Sequence, residues 1–378
     1  MAEKPTRENL IKAARKKVEG LLSEIMFIQK HEIKEEFRKG EQPDLVVEFA
    51  GKDGLHVMLV EVRANGEPRM AREAVNALLV EMRLWSYAYP LFVAPYISSE
   101  SAEICRKNRV GYMDLAGNCH ICFDSIYIHS EGKTNPFKTK RRLKSLSRPK
   151  AGRIIRVLLN HPHREWQTRE LAEQSKVSMG LVSNVKKILK DREFIDGKKR
   201  KIALTRPWSL LEKWIANAPE ESFEPMEFFH VPMNFVQIEN MILERCRRRN
   251  INCAFTGLSG AVHLVPDIDY HQVQAYIFSD LDAAGFEPGF EKNRTKPNLV
   301  LIKTKDEGVF YKARQVMPTS RLQYYRPTDT KIKTIESEIG TGIQIVSPIQ
   351  IYFDLKKRFR VNEAGAGKVF HHVLEPSW

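Results

Sequence analysis

The sequence predicts a multidomain chain of class α/β plus α+β. It reads as a mixed α/β domain over residues 1–132, a basic linker over 133–150, a module of three helices and a hairpin over 151–220, and an α+β domain over 225–378. Three observations predict this. The hydrophobic period alternates between about 2 and 3.6 residues through the first 130 positions. Positive charge is concentrated: residues 133–206 hold 22 Lys/Arg and 6 Asp/Glu, a local balance of +16 in a chain of +14, so everything else sums to −2. A proline- and acid-rich stretch, Asn217 to Glu227, marks a further boundary. At 378 residues the chain is long for one core. No run approaches the roughly 18 apolar residues of a membrane span. The charged start MAEKPTRENLIKAARKKVEG has no apolar signal core. Five cysteines, an odd number in a large chain, make no disulfide framework, and a cytoplasmic location is the expectation.

The elements follow in order. Residues 4–38 read as helix, with Leu10, Ala14, Val18, Leu22 and Ile25 at helical spacing. Leu45–Phe49 and His56–Val62 read as strands about a Gly51–Gly54 turn, and Glu67–Trp85 as an amphipathic helix. Leu91–Ala94 is a short buried strand and Ser99–Asn108 a serine-capped helix. Strands Val110–Asp114 and His120–Ile128 close the domain about Ala116-Gly117-Asn118, where the backbone needs a positive φ. Cys119 and Cys122 fall on opposite faces of a strand, which argues against zinc.

Two carboxylates stand at strand ends in this domain: Asp44 after Pro43, and Glu61 in Glu61-Val62-Arg63. An Asp followed at a distance by Glu-x-Lys resembles the PD-(D/E)xK nucleases. That resemblance implies a restriction-endonuclease-like fold, Asp44 and Glu61 as ligands of a magnesium ion, and a third catalytic position at Arg63. Glu35 or Glu36, on the helix read just upstream, could add a ligand. Arg63 replaces the lysine, and a permanently charged guanidinium cannot serve as a base. The ordinary reading of Asp44 and Glu61 is a pair of carboxylates salt-bridged to Arg63 and Arg72.

Residues 133–150 carry eight Lys/Arg and no acid. The stretch then opens into a helix, Arg153–Asn160, stopped by His161-Pro162. Thr168 is the expected cap of a short helix over Arg169–Gln174, and Ser178 of a third helix. That helix sets Leu181, Val182, Val185, Ile188 and Leu189 on one face and Ser183, Asn184, Lys186, Lys187 and Lys190 on the other. Two β-like runs, Phe194-Ile195 and Ile202–Leu204, flank Asp196-Gly197-Lys198-Lys199-Arg200-Lys201. This is the pattern of a winged helix-turn-helix. Short polar groups on the third helix suit base edges, and clustered cations suit phosphates. The expected contacts with double-stranded DNA are Thr168, Arg169, Ser178, Ser183, Asn184, Lys186, Lys187, Lys198, Lys199, Arg200 and Lys201. The ordinary alternative is a protein-binding module with solvated lysines.

The last third reads as helix Phe235–Asn250, strand–turn–helix over Cys253–Ala261, strands Val273–Phe278 and Leu299–Lys303, and a Ser347-capped helix. Asp267, Asp269, Asp280 and Asp282 read as surface carboxylates. Thr256-Gly257-Leu258-Ser259 lacks the lysine and spacing of a phosphate loop. Paired with Val346-Ser347-Pro348-Ile349-Gln350-Ile351-Tyr352-Phe353-Asp354-Leu355 and the upstream helices, it resembles the AbiEi antitoxins of type IV toxin–antitoxin systems over residues 150–375. The resemblance implies a transcriptional autorepressor opposing a nucleotidyltransferase-like toxin without stable contact; a homodimer is also expected. Two functions therefore compete. One is a DNA-binding regulator with no cofactor; the other is a magnesium-dependent DNA endonuclease targeted by its winged helix. Arg63 favours the first.

Overall fold

The computed structural model describes all residues except 1–5, 29–30, 36–42, 52–53, 86, 138–145, 147, 219–225, 269–270, 279–289, 293–294, 317–341 and 360–362. Its described residues contain eleven α-helices and two mixed seven-stranded sheets. They group into two compact units, 1–140 with 187–193, and 141–186 with 194–378. None of the helices is long and apolar enough to cross a membrane.

In the first unit α1 (Arg7–Ser23) is capped by Thr6, whose hydroxyl accepts from the Asn9 N–H at 3.3 Å. Its buried residues Leu10, Ala14, Val18 and Leu22 recur every four positions, which makes a single apolar stripe. The sheet runs β1 (His31–Glu35), β2 (Leu45–Gly51), β3 (Gly54–Val62), β4 (Tyr89–Ala94), β5 (Gly111–Asp114), β6 (Cys119–Phe123) and β7 (Ile126–Ser130), in chain order. β3, β4 and β5 are parallel, and the outer pairings are antiparallel. Alternation along the strands feeds two cores. Leu45, Val47, Phe49, Met58, Val60 and Val62 pack with α1. Val46, Val57, Leu59 and Phe92 pack with α2 (Pro68–Glu81) and α3 (Ser99–Lys107) on the other face.

Two expectations for this unit are corrected. The helix read over residues 4–38 stops at Ser23, and residues 31–35 form the edge strand β1, paired with Leu45–Phe49. Glu35 therefore ends a strand, and Glu36 lies outside the described residues. The strand read over His120–Ile128 is two strands, because Asp124 turns the chain with a φ of 45°. The turn before β6 is as expected, with Gly117 at a φ of 104°.

The second unit opens with α4 (Pro149–Leu159), α5 (Thr168–Ser175) and α6 (Met179–Asp191), the last turn of α6 grouping with the first unit. Pro149 begins α4 inside the stretch read as linker. Gln167, not Thr168, is the N-cap of α5, and no side chain caps it. Ser178 does cap α6, its hydroxyl accepting from the Leu181 N–H at 3.3 Å. Lys176 turns between α5 and α6 with a φ of 50°. Short antiparallel bridges follow, Trp166 with Ile202 and Ile195 with Leu204. α7 (Pro207–Asn217) leads on to the second sheet.

That sheet comprises β8 (Met226–His230), β9 (Cys253–Phe255), β10 (Val273–Ile277), β11 (Glu291–Lys292), β12 (Leu299–Lys303), β13 (Arg314–Val316) and β14 (Ile343–Ile345), ordered β11-β8-β12-β10-β9-β14-β13. α8 (Phe235–Arg248) begins with a reciprocal capping box between Asn234 and Gln237. At the start of α9 (Gly257–Val262), Gly257 has a φ of 52°, and a Cβ there would fall 1.9 Å from Gln274 Oε1. Only glycine fits. Ser347 caps α10 (Pro348–Phe353) by accepting from the Gln350 N–H at 3.3 Å.

Candidate functional site

Two groups of residues carry chemistry. The first is the basic helical face of the second unit. Along α6, Val182, Val185 and Leu189 are buried, with Leu181 and Ile188 half-buried beside them. The stripe fixes the helix's rotation and leaves Ser183 and Asn184 exposed together. Lys186 is used differently from the expectation: its Nζ donates to the Arg200 carbonyl at 2.7 Å and ties α6 to the 196–201 loop. In that loop the Asp196 side chain accepts from the Lys198 N–H at 2.8 Å, which forms the turn.

The cations of the loop are not equivalent. Lys199 pairs with Glu165 at 2.5 Å, and Lys201 lies 4.0 Å from the same carboxylate. The Glu165 hydrogen bond raises the Lys199 pKa and lowers that of Glu165 itself. Lys198 and Arg200 are exposed and make no ion pair among the described residues. On α5, Arg169 is exposed and paired with Glu173 at 2.9 Å, while Thr168 is half-buried. Sequence reasoning missed Glu165 and Trp166. Trp166 is wholly buried, exchanges both backbone hydrogen bonds with Ile202, and lies under the Arg164 guanidinium, 4.1 Å from ring centre to charge. An aromatic just before a helix cap was the available signal.

The second group is the acidic pair of the first unit. Asp44 precedes β2, and Glu61 lies near the end of β3. Continuing the Leu45–Val60 register sets the two carboxylates side by side. Both are buried, Glu61 completely. Asp44 accepts from Arg7 Nη2 at 2.7 Å and from the Val62 N–H at 2.8 Å, so both its oxygens are engaged. Glu61 Oε1 is paired with Arg63, and Glu61 Oε2 has no partner among the described residues. Burial lowers the Arg63 pKa, against an upward pull from Asp44. Arg72 binds Glu193 and neither of these carboxylates. Arg7, 37 residues upstream of Asp44, is the functional neighbour the sequence did not reveal.

A divalent ion at this centre would have to displace both guanidiniums. A magnesium ion needs carboxylate oxygens free to face it. Here two guanidiniums already balance the two carboxylates, and three of the four oxygens are in hydrogen bonds. Among the described residues no three His, Cys, Asp or Glu gather as a metal set. Asp114, likewise wholly buried, is also spent: it accepts from the Asn118 and Ile97 N–H groups and from Asn118 Nδ2.

The paired C-terminal motifs meet in a buried polar network. Asp354 accepts from Thr256 Oγ1 at 2.6 Å, Tyr276 OH at 2.9 Å, Gln350 Nε2 at 3.0 Å and Arg358 Nε at 3.4 Å. Gln350 also accepts from Arg156 Nε of α4 at 2.6 Å, and Asp306 pairs with both Arg153 and Arg156. Every member is committed to a neighbour, which is the arrangement of a structural core. Of the four aspartates read as surface groups, Asp267 is exposed and accepts from Lys368 Nζ through its backbone; Asp269, Asp280 and Asp282 lie outside the described residues.

No protein-family profile matches the chain, and no curated protein does; the AbiEi resemblance gains no support from either comparison. Among solved structures the chain is similar to EndoMS in complex with dsDNA (16% identity over 30% of this chain and 46% of that one, TM-score 0.21). It is likewise similar to EndoMS in its apo form (16%, 27% and 45%, TM-score 0.20). A repair endonuclease from Pyrococcus abyssi gives 15% identity over 30% of this chain and 49% of that one, with a TM-score of 0.21. The chain thus spans just under half the length of each, at a weak overall similarity.

Proposed function

We propose that residues 151–205 form a winged helix-turn-helix that binds double-stranded DNA with sequence preference, and that the chain is a transcriptional regulator. The observation that carries this reading is the division of labour on one surface. α6 exposes Ser183 and Asn184 together, and Lys186 fastens it to a loop whose cations Lys198 and Arg200 make no ion pair among the described residues. A helix presenting short polar groups beside a cationic loop has the chemistry for base edges and phosphates respectively. The endonuclease alternative would require both guanidiniums to leave the acidic pair before a metal could enter. The AbiEi resemblance makes the chain's own promoter the first sequence to test.

Binding isotherms on promoter and scrambled duplexes at two salt concentrations test the proposal. Lys198→Ala with Arg200→Ala should weaken binding to both duplexes and reduce the salt slope by about two, one per lost phosphate contact. Asn184→Ala should lose about 1–3 kcal/mol on the preferred sequence and little on the scrambled one. Sequence preference that survives Asn184→Ala but vanishes with the loop changes would reverse the assignment. Absence of salt-sensitive binding in the full chain would remove it.

A further inference from the structure

The outer face of the β6–β7 hairpin holds two imidazoles at a chelating distance. His120 and His129 are opposite partners in the register. Their Nδ1 atoms are 3.4 Å apart, and their rings stand at 83° to each other. At that distance one ring N–H donates weakly to the other ring's nitrogen. Two nitrogens each about 2.0–2.1 Å from one tetrahedral ion lie about 3.4 Å apart.

The surroundings prepare the pair for the same role. On the far side of His129, Nε2 lies 3.9 Å from Glu131 Oε2. Glu131 is itself fixed, its other oxygen accepting from Tyr112 OH and Arg106 Nη1, each at 2.5 Å. At 3.9 Å that carboxylate is beyond hydrogen-bond reach of the ring and acts on it only through its charge. Tyr127 packs against both rings and limits their rotation.

We propose that His120 and His129 bind one divalent late transition-metal ion of the zinc class through their Nδ1 atoms, with water completing its coordination. Imidazole nitrogen selects such ions over magnesium or calcium. With two protein ligands the ion is exchangeable, and it pins the edge strand β7 to β6.

The test uses the full chain, stripped with a chelator and titrated with zinc chloride by calorimetry, alongside thermal unfolding. The expected result is one ion per chain and a zinc-dependent rise in Tm. His120→Ala and His129→Ala should each weaken binding at least tenfold. The exposed His371→Ala/His372→Ala variant should bind as the parent does. Zinc-free unfolding curves show whether each variant is folded. If a histidine variant is not, the imidazole ¹⁵N shifts of the parent with and without zinc read coordination at Nδ1 directly. No saturable uptake, uptake unchanged in folded His120→Ala or His129→Ala, or unshifted Nδ1 resonances would overturn the proposal.

Discussion

Replacing Arg63 by methionine should destabilise the first unit far more than a typical surface change. Glu61 is completely buried, and among the described residues its partner is Arg63, whose side chain is 18% exposed. Methionine preserves much of the apolar stem and removes the charge, leaving a carboxylate without compensation in the sheet. Breaking a buried pair from one side costs about 3–5 kcal/mol. For a unit of this size each kcal/mol moves Tm by roughly 3–4 °C, so the expected loss is roughly 10–20 °C. Replacing both partners, Glu61→Met with Arg63→Met, removes the stranded charge and should return most of that stability. Differential scanning calorimetry on the parent, both single variants and the double variant closes a double-mutant cycle. A double variant as unstable as Arg63→Met alone would refute the reasoning, because the penalty would then come from packing rather than charge.

Purified protein with plasmid and either magnesium or manganese should give no cleavage, because the acidic pair is already neutralised; cutting abolished by Asp44→Ala and Glu61→Ala, on an agarose gel, would contradict this. Asp354→Asn should cost about 1.5–3 kcal/mol, since the buried carboxylate accepts from Thr256, Tyr276, Gln350 and Arg358 and a neutral amide returns weaker bonds; thermal unfolding of the second unit measures it. Burial, Lys312 and Arg164 lower the His161 pKa. Its contribution to stability is therefore present above the unfolded value near pH 6.5 and lost as pH falls through the folded value. Unfolding curves across that window should be flatter for His161→Gln than for the parent.

Legibility followed the range of the interaction. The β2–β3 hairpin, the Ser178 and Ser347 caps and the positive-φ turn at Gly117 are set by neighbouring residues, and periodicity reveals them. β1 escaped because His-Glu-Ile-Lys-Glu has one apolar residue. Its strand state comes from pairing with Leu45–Phe49, which no local pattern announces. Thr168 looked like a cap, but the buried Trp166 and its pairing with Ile202 place the helix start at Gln167. Asp44, Glu61 and Arg63 were visible as a spaced motif. Their neutralisation was not, because Arg7 arrives from another element. Lys186 read as a phosphate contact, and only the folded loop shows the Arg200 carbonyl that holds it.

The Arg156 network bears on inheritance. Charge alone nominates residues 133–220 as a self-sufficient DNA-binding fragment. Yet α4 commits a buried arginine to Asp306 and Gln350, and Trp214 of α7 packs on Phe353. A gene fusion or truncation ending near residue 220 would strip that guanidinium of its protein acceptors and would bare an indole and the apolar side chains packed beside it. Recombination could transplant such a segment only together with compensating substitutions at Arg156 and Trp214. Residues 141–186 and 194–378 are thus packed as one unit, and relatives that keep the three helices but lack the C-terminal sheet should show a different residue where Arg156 stands.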